Sequence, residues 1–298
     1  RGIAGETEPD KKYNVVIFLL ETWAASYISA LNAPAGVTPQ FDSIATSNYL
    51  LSQMYASGTR SCRGIAAVYY SFASNPGRPV MKIYNAKKPY ISIAESLKPF
   101  GYESLFLYGG DLVFDNMGGS LTDAGFDHVI GYESFDKSLF IGKWGVPDGV
   151  ALERFSEELD SLTEPFVASI FTLTSHTPFD MPQDYPKMFH GNTTDEKFMN
   201  TINYADSCLG AFFDTVRSKA WYDNTIFVFV ADHGHTGESE HILPLETFHI
   251  GGAMILPEQL REKTDSLYPY PSTIDKVCSQ TDILPTIYYL LGLNVTHS

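Results

Sequence analysis

The chain has 298 residues, 44% hydrophobic and 14% aromatic, enough apolar surface for one large core or two modest ones. Its formal charge of −15 excludes a nucleic-acid surface, which needs clustered Lys and Arg, and general adhesion to anionic lipid. No apolar run reaches the roughly 18–20 residues of a membrane span, and residues 1–12 are polar, without a signal-peptide core, and read as a linker.

The first strand signal is the unbroken apolar run at residues 15–20, and Glu21 follows it directly. One such acid alone reads as a helix N-terminal carboxylate complementing the dipole. Residues 57–64 then offer Ser57, Thr59, Arg60, Ser61 and Arg63 ahead of a helical stretch at 65–70. A hydroxyl there gains from the helix N-terminus when it becomes an alkoxide or carries a phosphoryl group, and an ordinary N-cap beside a solvated Arg is the plain alternative. A short helix at 91–97, closed by Pro99 and Gly101, precedes a strand at 104–107. Tyr108-Gly-Gly-Asp111 and Phe114-Asp-Asn116 follow that strand, where glycines allow close backbone approach to a ligand. Trp144-Gly-Val-Pro-Asp148 reads as a loop, and Pro147-Asp148 starts an amphipathic helix over 150–162.

A strand at 166–173 comes next, with His176 just past it as a substrate or leaving-group contact. A long helix at 196–218 leads to the strand at 226–230, whose end carries Asp232 and His233, with His235 and His241 beyond. Residues 234–271 are rich in turns and suit a small antiparallel extension, with His249 just ahead of a strand at 253–256. A helix at 281–291, with Pro285 near its first turn, closes the chain. Cys62, Cys208 and Cys278 make neither a disulfide framework nor a zinc knuckle, and Cys208 and Cys278 read as buried small hydrophobes. The sequons Asn192-Thr-Thr194 and Asn294-Val-Thr296 carry no weight by themselves.

Strands that are apolar throughout and alternate with helices imply an α/β fold, a mostly parallel sheet with helices on both faces and the small C-terminal extension. Ligands bind at the carboxyl ends of such strands. Glu21, Asp232, His233 and His176 all stand at strand ends, and two acids with an adjoining imidazole there suit one divalent metal ion. Oxygen-rich ligands with one imidazole favour manganese or magnesium, with zinc as the third choice.

The motifs Asn14-Val-Val-Ile-Phe-Leu-Leu-Glu21, Gly58-Thr-Arg-Ser61-Cys-Arg-Gly64, Tyr108-Gly-Gly-Asp111, Gly125-Phe-Asp127, Trp144-Gly-Val-Pro-Asp148, Ser175-His-Thr-Pro-Phe179, Ala231-Asp-His-Gly-His235, Phe248-His-Ile250 and Gln280-Thr-Asp-Ile-Leu-Pro-Thr286 span about residues 13 to 293. In this order they resemble the alkaline phosphatase superfamily, in its sulfatase-like branch of lipoteichoic acid synthases, phosphoglycerol transferases and phosphoethanolamine transferases. The resemblance implies a single catalytic domain over 13–298, with Glu21, Asp232, His233 and the Ser61 oxygen around the metal. The nucleophile of the family falls on Ser61, with Thr59 two residues earlier as the competing candidate. His176 matches a histidine near the leaving group, Arg63 would neutralise the phosphoryl group, and Asp111, Phe114 and His249 are the further substrate contacts. Neither Ser61 nor Cys62 begins a Cys/Ser-x-Pro-x-Arg pattern, since Arg63 and Gly64 stand where proline is wanted, which disfavours a true sulfatase. The expected substrate is an anionic phosphate ester such as a lipid headgroup. The branch also implies N-terminal membrane helices absent from this chain and a catalytic domain on the extracytoplasmic side.

Overall fold

The computed structural model describes residues 11–33, 36–83, 90–235 and 244–293. Most of the expected linker, His241 and the Asn294 sequon lie outside them. In chain order the strands and α-helices are β1 (Asn14–Leu20), α1 (Pro39–Thr46), β2 (Tyr49–Leu51), β3 (Met54–Tyr55), α2 (Ser61–Tyr70), α3 (Ile93–Leu97), β4 (Glu103–Tyr108), α4 (Met117–Asp123), β5 (His128–Ile130), α5 (Asp148–Ser161), β6 (Phe166–Phe171), α6 (Thr194–Val216), β7 (Thr225–Ala231), β8 (His249–Ile250), β9 (Gly252–Ile255), α7 (Glu258–Thr264), β10 (Ser272–Ile274), β11 (Cys278–Ser279) and α8 (Ile283–Leu290).

Eight strands form one sheet in the order β10-β2-β9-β7-β1-β6-β4-β5, and within it only β9 runs against the others. The four central strands β7, β1, β6 and β4 are parallel neighbours and almost wholly buried, as the continuous apolar runs required. Alternate side chains of β1 serve opposite faces. Phe18 stacks on Phe229 and meets Phe155 of α5 and Phe212 and Phe213 of α6, while Phe41 of α1 packs edge-on against Phe229. On the other face Ser169, register partner of Ile17, bonds through its hydroxyl to Tyr69 of α2, whose ring lies against Phe106 of β4.

The small second sheet is present as β11-β3-β8, parallel on one side and antiparallel on the other. Two of its strands come from the C-terminal third, and the middle one comes from the segment just before α2. The strand expected over 166–173 stops at Phe171, and the helix expected from residue 65 begins a turn earlier at Ser61. Cys62 and Cys208 are buried. Cys278 is only half-buried, on a two-residue strand too short to be covered.

Helices α1 and α6 are joined by a buried carboxylate. Asp206 of α6 accepts hydrogen bonds from the backbone N–H groups of Gln40 and Phe41, both at 2.8 Å, and so caps the first turn of α1 from another element. Burial nevertheless pushes its carboxyl up to about 7. Truncation by Asp206→Ala would orphan both donors and is expected to cost about 2–3 kcal/mol. Urea unfolding of the purified chain reads this, and an unshifted midpoint would contradict the capping role.

Candidate active site

The carboxyl ends of β7, β1, β6 and β4 lie along one edge. Leu20 and Ala231 are register partners, so the residues that follow them, Glu21 and Asp232, emerge side by side. The backbone locks this arrangement. Asp232 N donates to Leu20 O at 3.1 Å, Thr22 N donates to Asp232 Oδ1 at 2.8 Å, and Glu21 N donates to Thr172 Oγ1 at 2.8 Å. Thr22 adopts a φ of 62°, a left-handed conformation costly for a β-branched residue, and its hydroxyl donates to Glu21 Oε1 at 2.5 Å.

His233 Nδ1 lies 2.9 Å from Gly234 O. A carbonyl can only accept, so Nδ1 bears a proton and Nε2 is turned toward the two carboxylates. That Nε2 stands 3.3 Å from Asp232 Oδ2 and 4.0 Å from Glu21 Oε1. One donor atom from each of Glu21, Asp232 and His233 falls within 4.8 Å of the others. Glu21 is 2% exposed and Asp232 fully buried. Among the described residues Asp232 Oδ2 has no hydrogen-bond partner, a costly state for a buried carboxylate oxygen. Burial first, then the charge of Asp232, pushes the Glu21 carboxyl well above the usual range. Two oxygens and one imidazole nitrogen, with an orphaned oxygen and uncompensated negative charge, fit a hard divalent cation.

Ser61 is buried as the first residue of α2, with the extended Arg60 as its N-cap. One turn later Gly64 presses on the ligand strand, and a Cβ there would collide with the carbonyl oxygen of Asp232. The helix N-terminus carrying Ser61 is thus seated against the segment bearing Asp232 and His233. Thr59 precedes the helix and is half-buried.

Arg63 requires a correction. Two positions beyond Ser61 on a helix is a rotation of about 200°, so its guanidinium leaves on another side. It donates to the Ser74 hydroxyl, to Asn75 O at 2.6 Å and to Gly77 O at 2.9 Å, and so fastens a loop. His249 is likewise outside the three-residue group: β8 pairs with β3, the His249 ring stacks on Tyr55, and its Nε2 lies 2.9 Å from Ser52 O.

His176 and Phe114 meet in an aromatic cluster at the ends of β6 and β4. The His176 ring lies 4.3 Å from Trp144 and 6.2 Å from Phe114, and Phe114 lies edge-on to Trp144 at 5.3 Å. His176 Nδ1 and Trp144 Nε1 both donate to Thr177 O, at 2.8 and 2.7 Å, and among the described residues nothing bonds His176 Nε2. Asp111 is turned to its own loop, accepting from Val113 N at 2.8 Å. His235 stacks on Phe198 at 4.1 Å, and burial lowers its pKa.

Asp148 was legible only as a helix start, yet it holds the turn that leads to His176. Its carboxylate accepts from Leu173 N at 2.6 Å and from Thr174 N at 3.3 Å, and burial pushes it up to about 6. The buried Tyr108 hydroxyl is pushed well up, by burial first and then by the charges of Glu21, Asp232 and Asp148. Both residues stood within motifs in the sequence, Tyr108 opening one and Asp148 closing another, but neither task was readable there.

Comparison with known proteins agrees with this arrangement. The Sulfatase family model matches residues 13–293. A lipoteichoic acid synthase of Staphylococcus saprophyticus is 25% identical over 311 residues, covering 97% of this chain and 48% of that protein. The chain spans less than half the length of the curated relatives it matches. Among solved structures, a protein in the alkaline phosphatase superfamily from Vibrio parahaemolyticus superposes with a TM-score of 0.83 at 31% identity, over 96% of this chain and 67% of that one. The lipoteichoic acid synthase LtaP from Listeria monocytogenes shares the fold, with a TM-score of 0.81 at 21% identity over 98% of this chain and 76% of that one. The chain therefore belongs to the Sulfatase family, within the alkaline phosphatase superfamily.

Proposed function

We propose that residues 13–298 form the catalytic domain of a metal-dependent phosphotransferase or phosphodiesterase. It acts on phosphoglycerol-type lipid headgroup esters through a covalent phosphoseryl intermediate on Ser61. The observation that carries this reading is the buried Glu21, Asp232 and His233 group, with its bare Asp232 oxygen, seated against the helix start that carries Ser61. The names of the relatives, lipoteichoic acid synthases, support phosphoryl transfer as the chemistry. By the same resemblance the domain works outside the cytoplasmic membrane, as part of a longer membrane-anchored protein. Among the described residues no helix is long and apolar enough to cross a membrane.

Glu21, Asp232, His233 and the Ser61 oxygen would hold the cation, manganese or magnesium before zinc. When bound it lowers the pKa of the hydroxyl and neutralises the phosphoryl oxygens. Ser61 Oγ gives its proton to solvent water and forms a bond to phosphorus as the bond to the leaving alcohol breaks. The N-terminus of α2 favours the negative charge then gathered on Ser61. His176, its ring held by Trp144 and Thr177, enters the step with both nitrogens protonated and gives its Nε2 proton to the departing oxygen. A second alcohol or water then attacks the phosphoserine, giving transfer or hydrolysis.

Two measurements test this. With manganese present, the parent chain is expected to cleave a phosphodiester faster than a phosphate or sulfate monoester. Ser61→Ala is expected to lower kcat by about 10³-fold or more, and Thr59→Ala by only a few-fold. A dead Thr59→Ala beside an active Ser61→Ala moves the nucleophile to Thr59, and preference for the sulfate ester overturns the phosphotransfer reading.

The second is a pH dependence. Burial and the Asp232 charge hold the Glu21 proton to higher pH than an ordinary carboxyl. A cation must displace that proton, so manganese affinity measured by calorimetry is expected to rise as pH increases above the ordinary carboxylate range. A flat profile, or no binding to the chelator-treated chain, contradicts the proposed metal centre.

A further inference from the structure

The short helical turn Gln280–Asp282 stands between β11 and α8, and its first residue is fully buried. The Gln280 side-chain amide makes three hydrogen bonds, all to backbone. Its Nε2 donates to Ala231 O and to Asp232 O, both at 2.7 Å, where the β7 ladder ends. Its Oε1 accepts from Ser57 N at 2.8 Å, in the loop that leads into α2. One planar amide therefore joins the strand end that carries Asp232 and His233 to the loop that delivers Ser61. The far end of α2 is tied to the same turn, since Ser71, its C-cap, donates through its hydroxyl to Thr281 O at 2.6 Å. The turn is itself fixed by Ser279 and Asp282, with Ser279 N donating to Asp282 Oδ2 at 2.7 Å.

We propose that Gln280 is a positioning residue for the reaction: its buried amide sets the spacing between the Ser61 hydroxyl and the Glu21, Asp232 and His233 group. The inference rests on Ser61 as nucleophile. Only a terminal amide supplies two donors and an acceptor at this point. The substitution Gln280→Glu would keep the acceptor for Ser57 N but turn a second oxygen toward two carbonyls, and Gln280→Met would keep the shape and lose all three bonds. Gly64 supplies the complementary contact, since its missing side chain lets α2 close on Asp232. Gln280 pulls the two segments together, and Gly64 sets how near they come.

The test compares the parent chain with Gln280→Met and Gln280→Glu, with manganese present and far below the melting temperature. In Gln280→Met, amide hydrogen exchange over residues 57–64 is expected to rise about tenfold or more, while α6 keeps its protection. Turnover of a phosphodiester is expected to show kcat falling about 10–100-fold with KM within about threefold, because small displacements at a reacting centre act on the chemical step. Gln280→Glu, which sets an oxygen against two carbonyls, is expected to lose at least as much as Gln280→Met, and Gln280→Asn, which keeps the amide but is one methylene too short to span both segments, serves if neither folds. Unchanged exchange over residues 57–64 overturns the proposal, and so does raised exchange with kcat within about twofold of the parent, since a merely structural role lowers the melting temperature and leaves kcat alone. A parent chain inactive on every ester overturns the phosphotransfer reading instead, and with it the positioning role of Gln280.

Discussion

The centre of this molecule depends on the pairing of β1 with β7. Their register sets Leu20 opposite Ala231, and both strands end there. Two carboxylates then leave the sheet as neighbours into a dry environment. Repulsion and desolvation both oppose this, and neither residue could escape without breaking a seven-residue parallel ladder buried on both faces. The sheet thus imposes a charge conflict that, in the proposed function, a cation would resolve. The aromatic stack of Phe18 on Phe229, backed by Phe212 and Phe213, stiffens the strands at the same point.

Around that fixed pair, positioning falls to backbone hydrogen bonds. Thr22 accepts an unfavourable φ so that its N–H reaches Asp232. Thr172 receives Glu21 N, Asp148 receives the N–H groups ahead of His176, and Gln280 holds the approach to Ser61. Each uses a polar side chain of one segment to satisfy the main chain of another. The chemistry-bearing loops are therefore fastened to the sheet rather than to one another.

The central strands were readable because burial on both faces writes an unbroken apolar run, and strand-end chemistry followed from position. Glu21, Asp232 and His233 needed no more than that. The strands β2, β5 and β10 have only three residues each, too few for a period to register, and α1, α4 and α7 are short helices without a long apolar stripe. Arg63 was misread because adjacency to Ser61 in sequence says nothing of direction until the helix phase is known. The partners of His249, Tyr55 and Ser52, lie nearly two hundred residues away in sequence, so no local pattern shows its surroundings. Asp148 and Gln280 stood in view within their motifs, but a buried polar residue reveals its task only through the main-chain groups it meets.

The three cysteines gain a further meaning from their surroundings. Burial pushes the thiols of Cys62 and Cys208 up to about 12 and that of Cys278 up to about 11. Nucleophilic sulfur chemistry proceeds through the thiolate, which is nearly absent at neutral pH under such conditions. Thiols so disposed exchange slowly with disulfides, and the packed sheet holds its shape with all three cysteines unpaired.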